Sequence, residues 1–168
     1  MLATLIIVAN LLITNFIEKK IAQNNSDYSF EITDVNTNIL TRTVTFKNVI
    51  IHSKSKDSAS IKKVEISGIS INNLFSKNNF EIEKIYVENG DGYLSKKNSA
   101  KKNNEQKNFK IKIKEIEVKN TNLSYNTAVE KEPIKVENIG VILNEVIINT
   151  NHTVKQVFKY EKILLTAE

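Results

Sequence analysis

The 168-residue chain contains no cysteine, so it has no disulfide framework, no thiolate metal site and no Cys nucleophile. Proline occurs once, at Pro133, and glycine four times. An array of tight glycine turns is thereby excluded, and the connections must rely on Asn, Asp and Ser. Arg42 is the only arginine. The bidentate and stacking contacts that read bases or grip phosphates favour Arg over Lys, which argues against a nucleic-acid reader. The net charge of +5 is also local: residues 95–108 set Lys96, Lys97, Lys101, Lys102 and Lys107 against Glu105, which leaves +1 for everything else.

Side chains that carry chemistry are equally sparse. His52 and His152 are the only histidines, a hundred residues apart and set among polar neighbours, which reads as two solvated imidazoles. The run Asn89-Gly90-Asp91-Gly92 lacks the further carboxylates and closing Glu of a Ca²⁺ loop, and is expected to be a turn. No G-x-S-x-G context and no Gly-rich phosphate loop occurs, and Glu alternates with Lys along apolar-rich segments as in cross-strand charge pairing. The expectation is a non-enzymatic chain with no cofactor and no metal.

The chain is 40% hydrophobic and 26% charged, ordinary for a folded domain, and its length suits one core. Leu2 to Ile17 (LATLIIVANLLITNFI) is almost wholly apolar and is followed by Glu18, Lys19 and Lys20. As a helix it would reach about 24 Å, against a hydrocarbon core of roughly 30 Å. Three readings compete: a membrane anchor, a cleaved signal peptide and a buried core helix. The signal peptide lacks a basic region before the apolar run and an A-x-A site after it. The core helix lacks a polar stripe. An anchor over 1–22 is therefore expected, although Lys19 and Lys20 then lie on the side away from the cytoplasm, against the positive-inside tendency.

Beyond Tyr28 the apolar residues recur as apolar-x-x-apolar-x-apolar: Phe46/Val49/Ile51, Ile61/Val64/Ile66, Ile66/Ile69/Ile71, Ile82/Ile85/Val87, Ile113/Ile116/Val118, Val136/Ile139/Val141, Leu143/Val146/Ile148 and Tyr160/Ile163/Leu165. In a helix the i+5 position faces away, so the helical template fails. Ile and Val dominate these positions, as on a pleated surface. A β-bulge at the three-residue step would return both flanking residues to one face. A two-residue hairpin there would need φ > 0 at pairs such as Lys62-Lys63, Glu83-Lys84 and Lys114-Glu115, which suit it poorly. Bent, continuous strands are expected.

IEKIYVENGDGYLS (82–95) and IKEIEVKNTNLSYN (113–126) look like copies at an offset of 31 residues. Each reads as a bulged strand, a turn at Asn89 or Asn120 and a short apolar pair, which implies antiparallel hairpins in series. Between them, 95–108 (SKKNSAKKNNEQKN) is expected to be a loop. Only NLFSKNN (73–79) could add a turn or two of helix. The one-sided sheet must then curl on itself, pack on a second sheet, or hold something apolar.

The apolar N-terminal segment, the flank IEKKIA (17–22), TRTVTFKNVIIHSK (41–54) and FKIKIKEIEVKNTNLSY (109–125) together resemble the opening of AsmA-like proteins. These belong with the bridge-like lipid transfer proteins that carry a chorein-type N-terminal module. The resemblance implies an anchor at 1–22 in the bacterial inner membrane and a β-rich periplasmic domain over 23–168, engaged in lipid transport or outer-membrane biogenesis. It further implies that Ile82, Ile85, Val87, Ile111, Ile113, Ile116, Val118, Ile139 and Val141 line a groove for a phospholipid or other acyl lipid. Lys96, Lys97, Lys101 and Lys102 are the candidates for headgroup contact, beside the plainer reading of a solvated loop. Such proteins are usually longer, so a fragment is expected. The alternative is an anchored β-domain that binds a protein or a glycan, its apolar side closed within a sandwich.

Overall fold

The computed structural model describes residues 28–54, 57–70, 79–95, 110–126, 132–149 and 158–167. They form eight strands and no helix: β1 (Tyr28–Asn38), β2 (Thr43–Ser53), β3 (Ser58–Ser67), β4 (Asn79–Ser95), β5 (Lys110–Asn126), β6 (Ile134–Asn149), β7 (Phe158–Lys159) and β8 (Lys162–Thr166). The expected anchor at 1–22 and the helical turn at 73–79 lie outside the described residues, apart from Asn79, which opens β4. The protein is mainly β, with one open sheet in the order β1-β2-β3-β4-β5-β6-β7, and with β8 also on β6. Ile147 pairs with Lys159 and Asn144 with Lys162 at one constant offset, so β7 and β8 are a single edge strand interrupted at Tyr160 and Glu161.

The three-residue step has a different origin from the bulge that the spacing suggests. In a bulge two residues of one strand oppose one of its neighbour. Here the pairing skips Asn48, Lys62, Asn89 and Asn120 with no shift of register from β1 through β5. Asn48, Asn89, Asn120 and Asn138 have φ of 50°, 55°, 49° and 51°. Asn89 and Asn120 are level on neighbouring strands and Asn48 is at the same level beyond Lys62, whereas Asn138 is offset and lies opposite Asn122. From β1 to β5 each strand omits one residue from the pairing at this level, so the ladder keeps its count. Asn tolerates this conformation best among residues with a side chain.

A second line lies six residues away along β2, β3, β4 and β5. It runs through Arg42 (φ 53°), Gly68 (φ 66°), Glu83, Lys114 and Glu145 (φ 52°), and reaches the break at Glu161. Ile69 N donates to Arg42 O at 3.3 Å, and Arg42 Nη2 meets Glu83 Oε1 at 3.1 Å. At Gly68 a Cβ would collide with the Glu83 side chain, so glycine is required for space as well as for φ. All eight apolar steps cross one line or the other. Consecutive exposed residues at Lys47-Asn48 and Lys119-Asn120 turn outward, and the flanking apolar residues stay on one face.

Among the described residues, true bulges occur only between β5 and β6, where Lys119 and Asn120 oppose Gly140 and Asn122 opposes Glu137 and Asn138. The two slips cancel. Asn122 Oδ1 accepts from Asn138 N at 3.1 Å, and Asn122 Nδ2 donates to Asp91 at 2.9 Å, which fastens the irregular stretch to β4.

The hairpins expected in series are replaced by a parallel pair. β4 and β5 run side by side from Asn79↔Lys110 to Ser95↔Asn126, every partner 31 residues on. The two similar segments therefore pair with each other, like against like. Parallel strands need a crossover of a dozen or more residues, and the connection between Ser95 and Lys110 has that length. Asn89 and Asn120 are kinks inside 17-residue strands, and Asn89-Gly90-Asp91-Gly92 is neither turn nor Ca²⁺ loop. Ser95 likewise belongs to β4, held by its N and Oγ on Asp57 Oδ1, both at 2.9 Å. The remainder of the expected loop lies outside the described residues.

Asn89→Gly should leave stability unchanged or slightly higher, whereas Asn89→Val should cost about 1–2 kcal/mol, because a β-branched residue resists the left-handed region. Urea unfolding of the two variants reads the difference; equal midpoints would remove the kink lines as a structural requirement.

Candidate functional site

Paired residues on neighbouring strands share a face, and the register assembles the apolar positions into rows that cross the sheet. One row runs Val44, Ile66, Ile85, Ile116, Leu143, Ile163, and the next Phe46, Val64, Val87, Val118, Val141, Leu165. Past the second kink line lies Ile82, Ile113, Val146, then Ile111 beside Ile148. Past the first lie Ile32, Val49, Ile61, Gly90, Thr121, Ile139 and, at the far end, Leu94, Tyr125, Ile134.

All nine residues expected to line a groove fall on this face. Ile113 is buried at 3% exposure, and Ile82, Ile85, Val87, Ile111, Ile116, Val118, Ile139 and Val141 are half-buried. The face extends further than those nine, through Val44, Phe46, Val64, Ile66, Leu143 and Val146. Their apolar steps carried the signal; what the sequence alone lacked was the pairing that joins β2 and β3 to the same rows. The basic residues Lys96, Lys97, Lys101 and Lys102 lie outside the described residues.

No second layer covers the face among the described residues. Only Val35, Val44, Val49, Ile113 and Val146 are buried apolar residues there, and Leu94, Tyr125 and Ile134 are exposed at the end of the sheet. Gly90 is buried because its neighbours lean over it: a Cβ would meet Thr121 at 3.2 Å and Ile61 Cγ1 at 3.7 Å. The apolar surface stays continuous across the glycine.

The opposite face carries charge, centred on Tyr86. The Nζ atoms of Lys63, Lys84 and Lys119 lie 5.4, 5.9 and 5.7 Å from its ring centroid, within cation–π range. Lys84 bonds Glu115 at 2.7 Å and also Glu117, Lys119 bonds Glu117 at 2.7 Å, and Lys63 bonds Glu65 at 3.0 Å. Hydrogen bonds from Lys119 and then Lys84 hold the Glu117 carboxyl below its ordinary range. Glu115, followed by Glu117, raises the Lys84 ammonium.

A recess of about 330 Å³ lies where β8 ends beside β6, its lining mixing Glu117, Lys119 and Asn138 with Val141, Ile142 and Leu164. It is small and half polar beside the apolar face. Among the described residues no cluster of His, Asp and Glu could hold a metal ion, and no helix is long and apolar enough to cross a membrane. His52 is exposed near the end of β2, and His152 lies outside the described residues. No protein-family model, curated protein or solved structure matches the chain.

The charged face has a pH signature. Glu117, with its lowered value, stabilises fully above the ordinary carboxylate range and loses that contribution as pH falls through the lowered value. Lys84, with its raised value, contributes fully below the ordinary lysine range and loses it as pH rises through the raised value. Between the two lies a plateau. In Glu117→Gln the acid limb of the urea midpoint, from about pH 5 to 3, should be flatter than in the parent. The effect should stay under about 1 kcal/mol because solvent screens surface pairs; an unchanged acid limb would show that Glu117 gains nothing from its lysines.

Proposed function

We propose that the chain is a membrane-anchored envelope protein of AsmA-like type whose apolar sheet face carries acyl chains, assisting lipid transport or outer-membrane biogenesis. Residues 1–22 anchor it in the bacterial inner membrane, and the strands stand in the periplasm. The observation that carries this reading is the uninterrupted apolar face, which runs the length of β4 and β5 with no covering layer among the described residues. An apolar surface of that extent is costly in water at about 25 cal/mol per Å², and a lipid chain removes the cost without requiring shape-specific packing.

The arrangement of the strand ends supports the same reading. β1 begins at Tyr28, paired with Ser53, at the end of the sheet where β4 and β5 finish and β6 starts. The residues after Ala22 can reach at most about 20 Å before Tyr28, so an anchored chain keeps this end near the bilayer. The exposed Leu94, Tyr125 and Ile134 lie there, and the segment holding Lys96, Lys97, Lys101 and Lys102 leaves from there, suited to anionic headgroups at about 1 kcal/mol each. Lipid enters the face from this end.

Ile116→Lys separates an open lipid face from a closed core. On an open face the lysine stem lies along the apolar surface and its ammonium reaches water, so the fold survives with a modest loss of melting temperature while bound lipid disappears. Inside a closed sandwich the same change strands a charge and costs several kcal/mol, enough to unfold most of the chain. Native mass spectrometry for co-purified lipid, beside a thermal melt, decides. An unfolded variant, or a parent chain free of lipid from bacterial membranes, would favour an anchored domain that binds a protein or a glycan.

A further inference from the structure

The sheet divides into two halves at its one parallel ladder. β1 to β4 pair antiparallel throughout, and so do β5 to β8. Among the described residues, β4 and β5 are the only strands paired across the divide. The two strands share an apolar pattern, yet their charges are inverted at equivalent positions. Glu81 faces Lys112, Lys84 faces Glu115 and Glu88 faces Lys119, and Glu83 stands level with Lys114 between the first two pairs. Lys112 Nζ lies 3.6 Å from Glu81 Oε1, and Lys84 Nζ 2.7 Å from Glu115 Oε1. Like charges directly opposed across a ladder repel. In this register β4 against β4, or β5 against β5, is therefore disfavoured, whereas any β4 fits any β5.

The connection within one copy works against this seam. β4 has 17 residues, which at about 3.2 Å per residue make roughly 50 Å, and because the pair is parallel the chain must return that distance from Ser95 to Lys110. Residues 96–109 number 14, and the longest reach of such a segment is also roughly 50 Å. Left to itself, a polar segment of that length averages about 20 Å end to end. A linker that must span far more than its average length gives its two modules a low effective concentration for each other, and a short connection under tension favours exchange with a second molecule. We propose that two copies of the chain exchange halves, β4 of each pairing with β5 of the other in the same parallel register. Each seam keeps the contacts described above, and each apolar face is built from one half of either copy. The exchange is reciprocal and closes about a two-fold axis.

Charge reversal distinguishes a seam made within one copy from a seam made between two. In the full chain in detergent micelles, Glu115→Lys with Lys119→Glu sets like charges against β4 of its own copy, and Lys84→Glu with Glu88→Lys does the same against β5. Each variant alone should melt below the parent. Co-expressed, the two should regain the parent's melting temperature and give heterodimers in several-fold excess over either homodimer in native mass spectrometry, because both seams between them restore opposite charges. The absence of cysteine permits a second measurement. Glu88→Cys with Lys119→Cys in one chain should oxidise mainly to a covalent dimer, and a flexible Gly/Ser insert after Ala100 should move the cross-link to within the monomer. No rescue on co-expression, or a cross-link that forms within one chain whatever the length of its connection, would overturn the proposal. Neither measurement depends on bound lipid, so the exchange stands or falls apart from the lipid reading.

Discussion

The apolar face of this sheet depends on neighbouring strands each setting aside one residue from the ladder at the same level. A left-handed residue inside a strand reverses its alternation, and if one strand did so alone it would present its apolar residues to the wrong side of its neighbours. Asn89 and Asn120 lie side by side on β4 and β5, so the reversal is shared across the parallel pair, and at the level of Asn48 and at that of Glu145 the neighbouring strands also leave one residue out of the pairing. Each left-handed residue with a Cβ costs roughly 1–2 kcal/mol of conformational energy. The return is a ladder that keeps its hydrogen bonds between the lines and an apolar face that continues across both.

The three-residue apolar step, visible in the sequence eight times, was enough to identify strands, to reject helices and to select residues that share a face. Ile82, Ile85, Val87, Ile113, Ile116 and Val118 could be grouped on that basis alone. Two features were not legible. The preference of Asn for the left-handed region is the same in a turn and in a kink, so Asn89 and Asn120 could not reveal whether the chain reverses there or continues. The similar segments at 82–95 and 113–126 fit a series of hairpins as well as a parallel pair, because their patterns constrain the faces and leave strand direction open. The loop from Ser95 was legible as a polar stretch; that it serves as a crossover follows only from the direction of β5.

The two faces divide the labour of holding the sheet. On one, Ile and Val make rows whose neighbours shield one another only partly, which leaves most of them half-buried. On the other, Lys84, Glu115, Glu117 and Lys119 connect β4 to β5 across the parallel pair. Parallel pairing is slightly less stable per residue than antiparallel, and the densest ion pairs described lie at that junction. The charged network supports the backbone where the ladder is weakest, and it keeps charged side chains off the apolar face.

The kink lines also bear on how the chain finds its pairing. In a plain alternating strand a slip of two residues returns every side chain to its proper face, and such misaligned ladders are credible traps during folding. Here a slip of two between β4 and β5 would part the matched left-handed pair of Asn89 and Asn120 and set each against a residue of ordinary φ. The matched pair works as a keyed notch that rejects near-native misalignment of the parallel strands, a task that tight turns perform in most antiparallel sheets and that a chain with four glycines and one proline has assigned to the middle of β4 and β5.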